Sequence, residues 1–205
     1  MNETLSSILF EEEQWSFDEE GRWIKFRKDG TGQISCRCNF NYFIFADIQW
    51  KTIKSSNPSQ DTGSTWTKTP KVLGQLDVEI TLVNQLPQCG ESTALLNMKN
   101  LNGNNLVDDS FQPKVYSIRI EEGNFKEPCD GSPPNSEQYR YARRLLFDKS
   151  PYPPRSEWKR PEGGPDSNQF WDIKEFVGRQ SRDLRGKGRA MNDPDAGGWN
   201  RCVIV

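Results

Sequence analysis

From Gly21 to Lys54 the apolar side chains fall almost without exception on even-numbered positions. Ile24 and Phe26 come first and are followed by a glycine-flanked turn, Lys28-Asp29-Gly30-Thr31-Gly32. Ile34, Cys36, Cys38 and Phe40 come next, then Tyr42, Ile44, Ala46, Ile48 and Trp50. The odd positions carry Lys25, Arg27, Gln33, Ser35, Arg37, Asn39, Asp47, Gln49 and Lys51. Side chains two apart on a strand share a face, so the pattern predicts three strands of an antiparallel meander that build one apolar wall. One face of that sheet is buried and the other is solvated. Phe43 and Phe45 are apolar on the polar side. A helix over 168–177 folding back on them is the expected cover, rather than a partner.

The rest of the chain extends the sheet. A short helix is expected over 4–10, after which Trp15 and Phe17 lead into the meander. Residues 55–70 read as a polar loop. A fourth long strand is expected at about 72–83, with Gly74 marking a bulge. A weaker strand is expected over 93–101 and another from Lys114 to Glu121, with 126–136 a loop rich in Pro and Gly. Tyr139 to Phe147 suits either a strand or a helix, and a strand is preferred because the sheet otherwise lacks a closing partner. After Ser150 the chain becomes polar and irregular. Asn168 to Val177 is the exception: Phe170, Ile173, Phe176 and Val177 share a helical face and Gly178 offers a C-cap. The expected fold is all-β, an antiparallel closed or nearly closed β-barrel with short helices at either end, and a closed barrel is preferred over a sandwich. The barrel is expected over 1–158, and 159–205 is expected to hold the docked helix and a flexible basic tail.

Composition narrows the chemistry. Apolar residues make up only 33% of the 205, so part of the chain is expected to lie outside a packed core. A net charge of −2 with no dominating basic stripe gives no reason to expect nucleic acid. The five cysteines, Cys36, Cys38, Cys89, Cys129 and Cys202, are an odd number, and a reduced, cytoplasmic setting is the simpler reading. No secretory signal and no apolar run long enough to span a bilayer is legible. The absence of histidine removes Ser/His and Cys/His activation, histidine metal sites and the usual near-neutral proton shuttle. No phosphate loop matches, and no cofactor is expected. Cys36 and Cys38 are too few for a thiolate metal site and read better as packed apolar groups. Asp47, Asp77 and Glu79 lie on the polar face and read as solvated charge.

Cys36, Tyr42, Trp50, Tyr116 and Arg119 are left as candidates to line a ligand cavity, with plain filling of the interior the alternative for the two large aromatics of the meander. The Pro151-x-x-Pro154 frame reads better as a rigid exit from the last strand than as a ligand for an SH3 domain. Cys202-Val203-Ile204-Val205 has the C-a-a-X form recognised for prenylation, behind a basic cluster at Arg179, Arg182, Arg185, Lys187 and Arg189. A short apolar strand tucked into the sheet is the other reading of that terminus.

Gly21-Arg22-Trp23 resembles the Gly-x-Trp element of lipocalins, and Trp23 to Gly32 resembles the first hairpin of small lipocalin-like domains. Phe147-Asp148-Lys149-Ser150-Pro151-Tyr152-Pro153-Pro154, with Trp158, is similar to a segment of uncharacterised fungal proteins that carry the same hairpin. The likeness covers about residues 8–158. The Thr-Asp-Tyr element of lipocalins is absent, which favours the wider calycin-like group. The continuous even-numbered wall and the missing catalytic groups point to a non-enzymatic, cytoplasmic barrel that binds a hydrophobic small molecule or lipid, held at a membrane surface if Cys202 is prenylated. The alternative, which the resemblance implies, is a cofactor-free cyclase or isomerase, with Tyr42 or Arg119 as the acting group. An interaction scaffold presenting Phe43, Phe45 and the proline segment is a third expectation.

Overall fold

The computed structural model describes residues 2–39, 41–56, 70–87, 100–129 and 139–181. Helix α1 (Asn2–Glu11) is followed by β1 (Trp15–Ser16), β2 (Trp23–Phe26), β3 (Thr31–Cys38), β4 (Asn41–Ser56) and β5 (Lys71–Leu82). Then come α2 (Leu101–Asn105), β6 (Lys114–Phe125), β7 (Arg140–Phe147), α3 (Gly164–Asn168) and β8 (Glu175–Ser181). The eight strands are antiparallel and hydrogen-bonded in sequence order, and β8 returns to β1 through the pair Ser16↔Val177, so they form a ring.

Local chemistry sets the first hairpins. Gly30 adopts φ +82° in the β2–β3 turn, a conformation that favours glycine. The Asp29 carboxylate accepts the Thr31 N–H at 2.9 Å and its hydroxyl at 2.7 Å, which holds the turn closed. Upstream, Asp18 is buried and accepts the N–H groups of Gly21 and Arg22 at 3.1 and 3.0 Å, fixing where β2 begins. The registers Ile24↔Ile34 and Ile34↔Ala46 then stack the even-numbered residues on one inward face. That face is dry: Ile24, Ile34, Cys36, Ala46 and Ile48 have no exposed surface, and neither do Ile118 and Ile120 on the facing strand.

The chain covers both ends of the ring. At one end α1 buries Leu9 and Leu5, and a Cβ at Gly74 of β5 would overlap the Leu5 side chain. The Trp15 indole N–H donates to the Leu9 carbonyl at 3.0 Å and fastens the C-terminal end of α1 to β1. At the other end the β7–β8 connection inserts Tyr152 and Phe170, whose rings lie 6.4 Å apart, with Trp158 5.7 Å from Phe170. Tyr152 donates its hydroxyl to the Ser35 carbonyl at 2.7 Å, and Arg155 clasps Asp166 through two bonds of 2.7 and 2.8 Å. The proline segment is thus a fixed exit that delivers an aromatic plug.

The structure corrects two expectations. Residues 168–177 are not a helix. Gln169 turns left-handed at φ +46°, Phe170–Asp172 make one 3-10 turn, and Glu175 onward is β8. Phe170, Ile173, Phe176 and Val177 fit a helical face, but so short a run fits other geometries too, and pairing with β7 through Leu145↔Phe176 decides the outcome. The ring therefore continues past residue 158 to Ser181, so 1–158 and 159–205 do not separate barrel from tail. The expected strand over 93–101 lies outside the described residues except at its end, where Leu101 opens α2. The segment 139–147 is strand, as preferred.

Phe43 and Phe45 are covered from within the chain, but not by the expected helix. The Asn102 side chain of α2 bonds both backbone polar groups of Phe45, at 3.0 and 2.8 Å, and Trp23 meets the Phe45 ring edge-on at 6.2 Å. Phe43 packs against Phe170 at 5.3 Å. Asn105 of α2 also donates to the Phe43 carbonyl at 2.8 Å.

Candidate functional site

Three of the five residues expected to line the interior are on the inward face. Cys36 is fully buried, and burial pushes its thiol well up from the ordinary range. Tyr116 is 4% exposed and meets Phe147 edge-on at 5.9 Å, and burial also raises its phenol. Trp50 closes the ring beside the β2–β3 turn, where its indole N–H is shared between the carbonyls of Arg27 and Thr31 at 3.0 and 2.9 Å. Its ring packs edge-on against Phe26 at 5.2 Å.

Tyr42 and Arg119 are not there. The register slips between Cys36 and Arg37, so that Cys36 pairs with Ile44 but Arg37 pairs with Tyr42, leaving Phe43 as the extra residue of a β-bulge. The bulge turns Tyr42 out of the wall, and its ring takes the Arg37 guanidinium at 5.5 Å. Cys38, beyond the same slip, is half-buried and donates to Asn168 at 3.2 Å. Arg119 is exposed on the outer face and pairs with Glu121 at 2.9 Å. Glu121 also accepts from Arg144 at 2.9 Å, which neutralises a carboxylate that is only 4% exposed. Cys202 lies outside the described residues.

The charged groups brought together at the α1 end went unmarked in the sequence. Arg143 of β7 stands opposite Gly178 of β8, on the strand face that carries Leu145 and Phe147. Its Nη1 donates to Glu12 at 2.7 Å and to Glu11 at 3.3 Å. Arg179 reaches the same two carboxylates at 3.2 and 3.6 Å. Glu12 is 6% exposed, so this is an ion cluster largely withdrawn from water. A groove of about 440 Å³ runs beside it along the β1–β8 seam, lined by Glu12, Glu13, Ser16, Tyr141, Gly178 and Arg179 among others. The available signal was the Arg143-Arg144 pair, which interrupts an otherwise apolar alternation, set against the run Glu11-Glu12-Glu13.

Among the described residues, no group of three or more Cys, Asp and Glu side chains is placed to hold a metal ion. No helix among them is long and apolar enough to cross a membrane. The fold thus defines a sheet-rich protein whose eight antiparallel strands form a ring around an apolar interior. Comparison with protein-family models, curated proteins and solved structures finds no match.

Proposed function

We propose that the ring is a closed, lipocalin-like barrel of the calycin kind, and that the protein is a non-enzymatic binder of a hydrophobic small molecule or lipid in the cytoplasm. The observation that supports this reading is a continuous inward apolar face whose two ends are covered by different means. A molecule held there would be retained by desolvation, the force that scales with apolar area removed from water. Cys36, Trp50 and Tyr116 are the contacts this reading assigns. Tyr152 and Phe170 close one end, and α1, the Trp50–Phe26 pair and an ion cluster close the other. Prenylation of Cys202 behind the basic tail would place this container at a membrane surface. A cofactor-free cyclase or isomerase fits less well, because Tyr42 and Arg119 stand outside the ring.

Native mass spectrometry of the full chain from its natural host tests the reading. A retained mass of a few hundred daltons, released on denaturation, is the expected result. A chain with no adduct, and with no uptake from a panel of apolar compounds, contradicts it. Intact mass with and without Cys202→Ser reports the prenyl group independently of the ligand.

A further inference from the structure

We propose that Asn102 is a deamidation site controlled by the fold: α2 protects it while docked on β4, and its conversion to an acid releases α2 and opens the β4 edge.

The edge of β4 explains why α2 sits where it does. β4 pairs with β5 from Ile48 onward, and beside that pair the Val83 N–H donates to the Asp47 carbonyl at 2.8 Å. Upstream of Asp47 the same edge meets α2, and a side-chain amide takes the place of a strand. Asn102 accepts the Phe45 N–H at 3.0 Å and donates to the Phe45 carbonyl at 2.8 Å, the two bonds that a paired strand residue makes. Its Nδ2 also donates to the Gln85 carbonyl at 3.3 Å, and Asn105 donates to the Phe43 carbonyl at 2.8 Å. Asn102 is 2% exposed, so its bonds are made away from water.

Helix α2 depends on this docking. After Leu101 it consists of Asn102, Gly103, Asn104 and Asn105, all poor helix formers. Asn100 at its N-cap makes no side-chain bond, and neither an acidic residue in the first turn nor a basic one in the last supports it. A turn so weakly supported opens locally more readily than the strands around it.

Opening exposes the one Asn-Gly sequence of the chain. Gly103 has no side chain to shield its backbone nitrogen. That nitrogen attacks the Asn102 side-chain carbonyl carbon, gives up its proton and closes a cyclic imide, while the side-chain nitrogen leaves as ammonia. Water then opens the imide to aspartate or isoaspartate. The docked state blocks the attack, because three bonds hold the amide and the Lys159 amine holds the Gly103 carbonyl. An acid at this position does not redock. The oxygen that replaces Nδ2 faces the Phe45 and Gln85 carbonyls, acceptor against acceptor, with a charge withdrawn from water. The conversion is a one-way step that unfastens α2 and leaves the Phe45 carbonyl without its donor.

The test ages the full chain at neutral pH, natively and in urea, and maps its peptides. Asn102 is expected to convert severalfold faster in urea than natively. Gly103→Ala hinders the attacking nitrogen and is expected to slow conversion in urea severalfold. Equal rates in the two states, or no conversion at Asn102 in urea, overturns the proposal. The chain aged in urea is then refolded, and the converted fraction, which carries an added negative charge, is separated by ion exchange. Hydrogen exchange in that fraction is expected to be severalfold faster at the Phe45 amide and over 101–106 than in the unconverted fraction, with β6 and β7 unchanged. Unaltered exchange at Phe45 overturns the release of α2. A converted fraction that fails to refold, beside an unconverted one that does, shows that the loss is global and overturns it as well.

Discussion

Tyr152 shows how a single side chain fastens the packed end of the ring. Its hydroxyl reaches the Ser35 carbonyl from 117 residues away while its ring packs against Phe170 and Phe176. Tyr152→Phe keeps the ring but leaves a buried carbonyl without that donor, and is expected to lower stability by about 1–2 kcal/mol. Urea unfolding checks this, with the midpoint falling at unchanged slope. Burial also raises the Cys36 thiol and the Tyr152 phenol above their ordinary values of 9.0 and 10.0. Above about pH 9 the unfolded chain releases these protons while the folded chain retains them, so folding weakens as pH rises and is at full strength below that point. A melting temperature that falls from pH 9 upward, by more in wild type than in Tyr152→Phe, is the expected outcome. Cys129 gives a contrasting thiol: partial burial and Glu127 push it up to about 11, yet it is exposed. Peptide mapping after alkylation should find Cys129 modified increasingly from pH 8 to 11 in the folded protein, and Cys36 modified only on unfolding. At this scale the alternation of apolar residues made the inward positions of Cys36, Trp50 and Tyr116 legible. It could not reveal the bulge at Phe43, because one extra residue in a strand leaves no mark on the sequence while reversing every face beyond it.

Among the elements, β8 carries the clearest lesson. Its residues Phe176 and Val177 were legible as buried but not as strand, because the decisive contact is the partner, β7, and pairing is not written in local spacing. A chain ended after Ser181 is expected to melt in one cooperative transition. A chain ended after Trp158 leaves the β8-side edge of β7 unpaired and removes Phe176 from Phe147, and is expected to show no cooperative transition by circular dichroism. Helix α1 was legible from its composition; its function as an end cover was not, since it depends on the space above Gly74. Gly74→Ala drives Leu5 from that space and is expected to cost about 1–3 kcal/mol. Hydrogen exchange should locate the loss, with faster exchange in α1 than in β6 or β7.

For the whole molecule, the ring has one end covered by the β7–β8 connection through Tyr152 and Phe170 and one covered by α1, Trp50 and an ion cluster. The wall was legible because period-two alternation is its direct imprint. The two covers were not, because Tyr152 and Glu12 come from segments with no repeating pattern, Phe170 comes from one whose spacing suggests a helix, and all of them, with Leu5, meet only when the strands close. The central claim is that the interior accepts an apolar guest. Titration of the full chain with the fluorescent apolar probe 1-aminoanthracene tests it most directly, with excitation of the tryptophans, among which Trp15, Trp50 and Trp158 lie in the core. The account predicts saturable one-to-one binding, with energy transfer from the tryptophans to the probe that is reversed by dodecanoate. A linear, unsaturable signal with no energy transfer would contradict it.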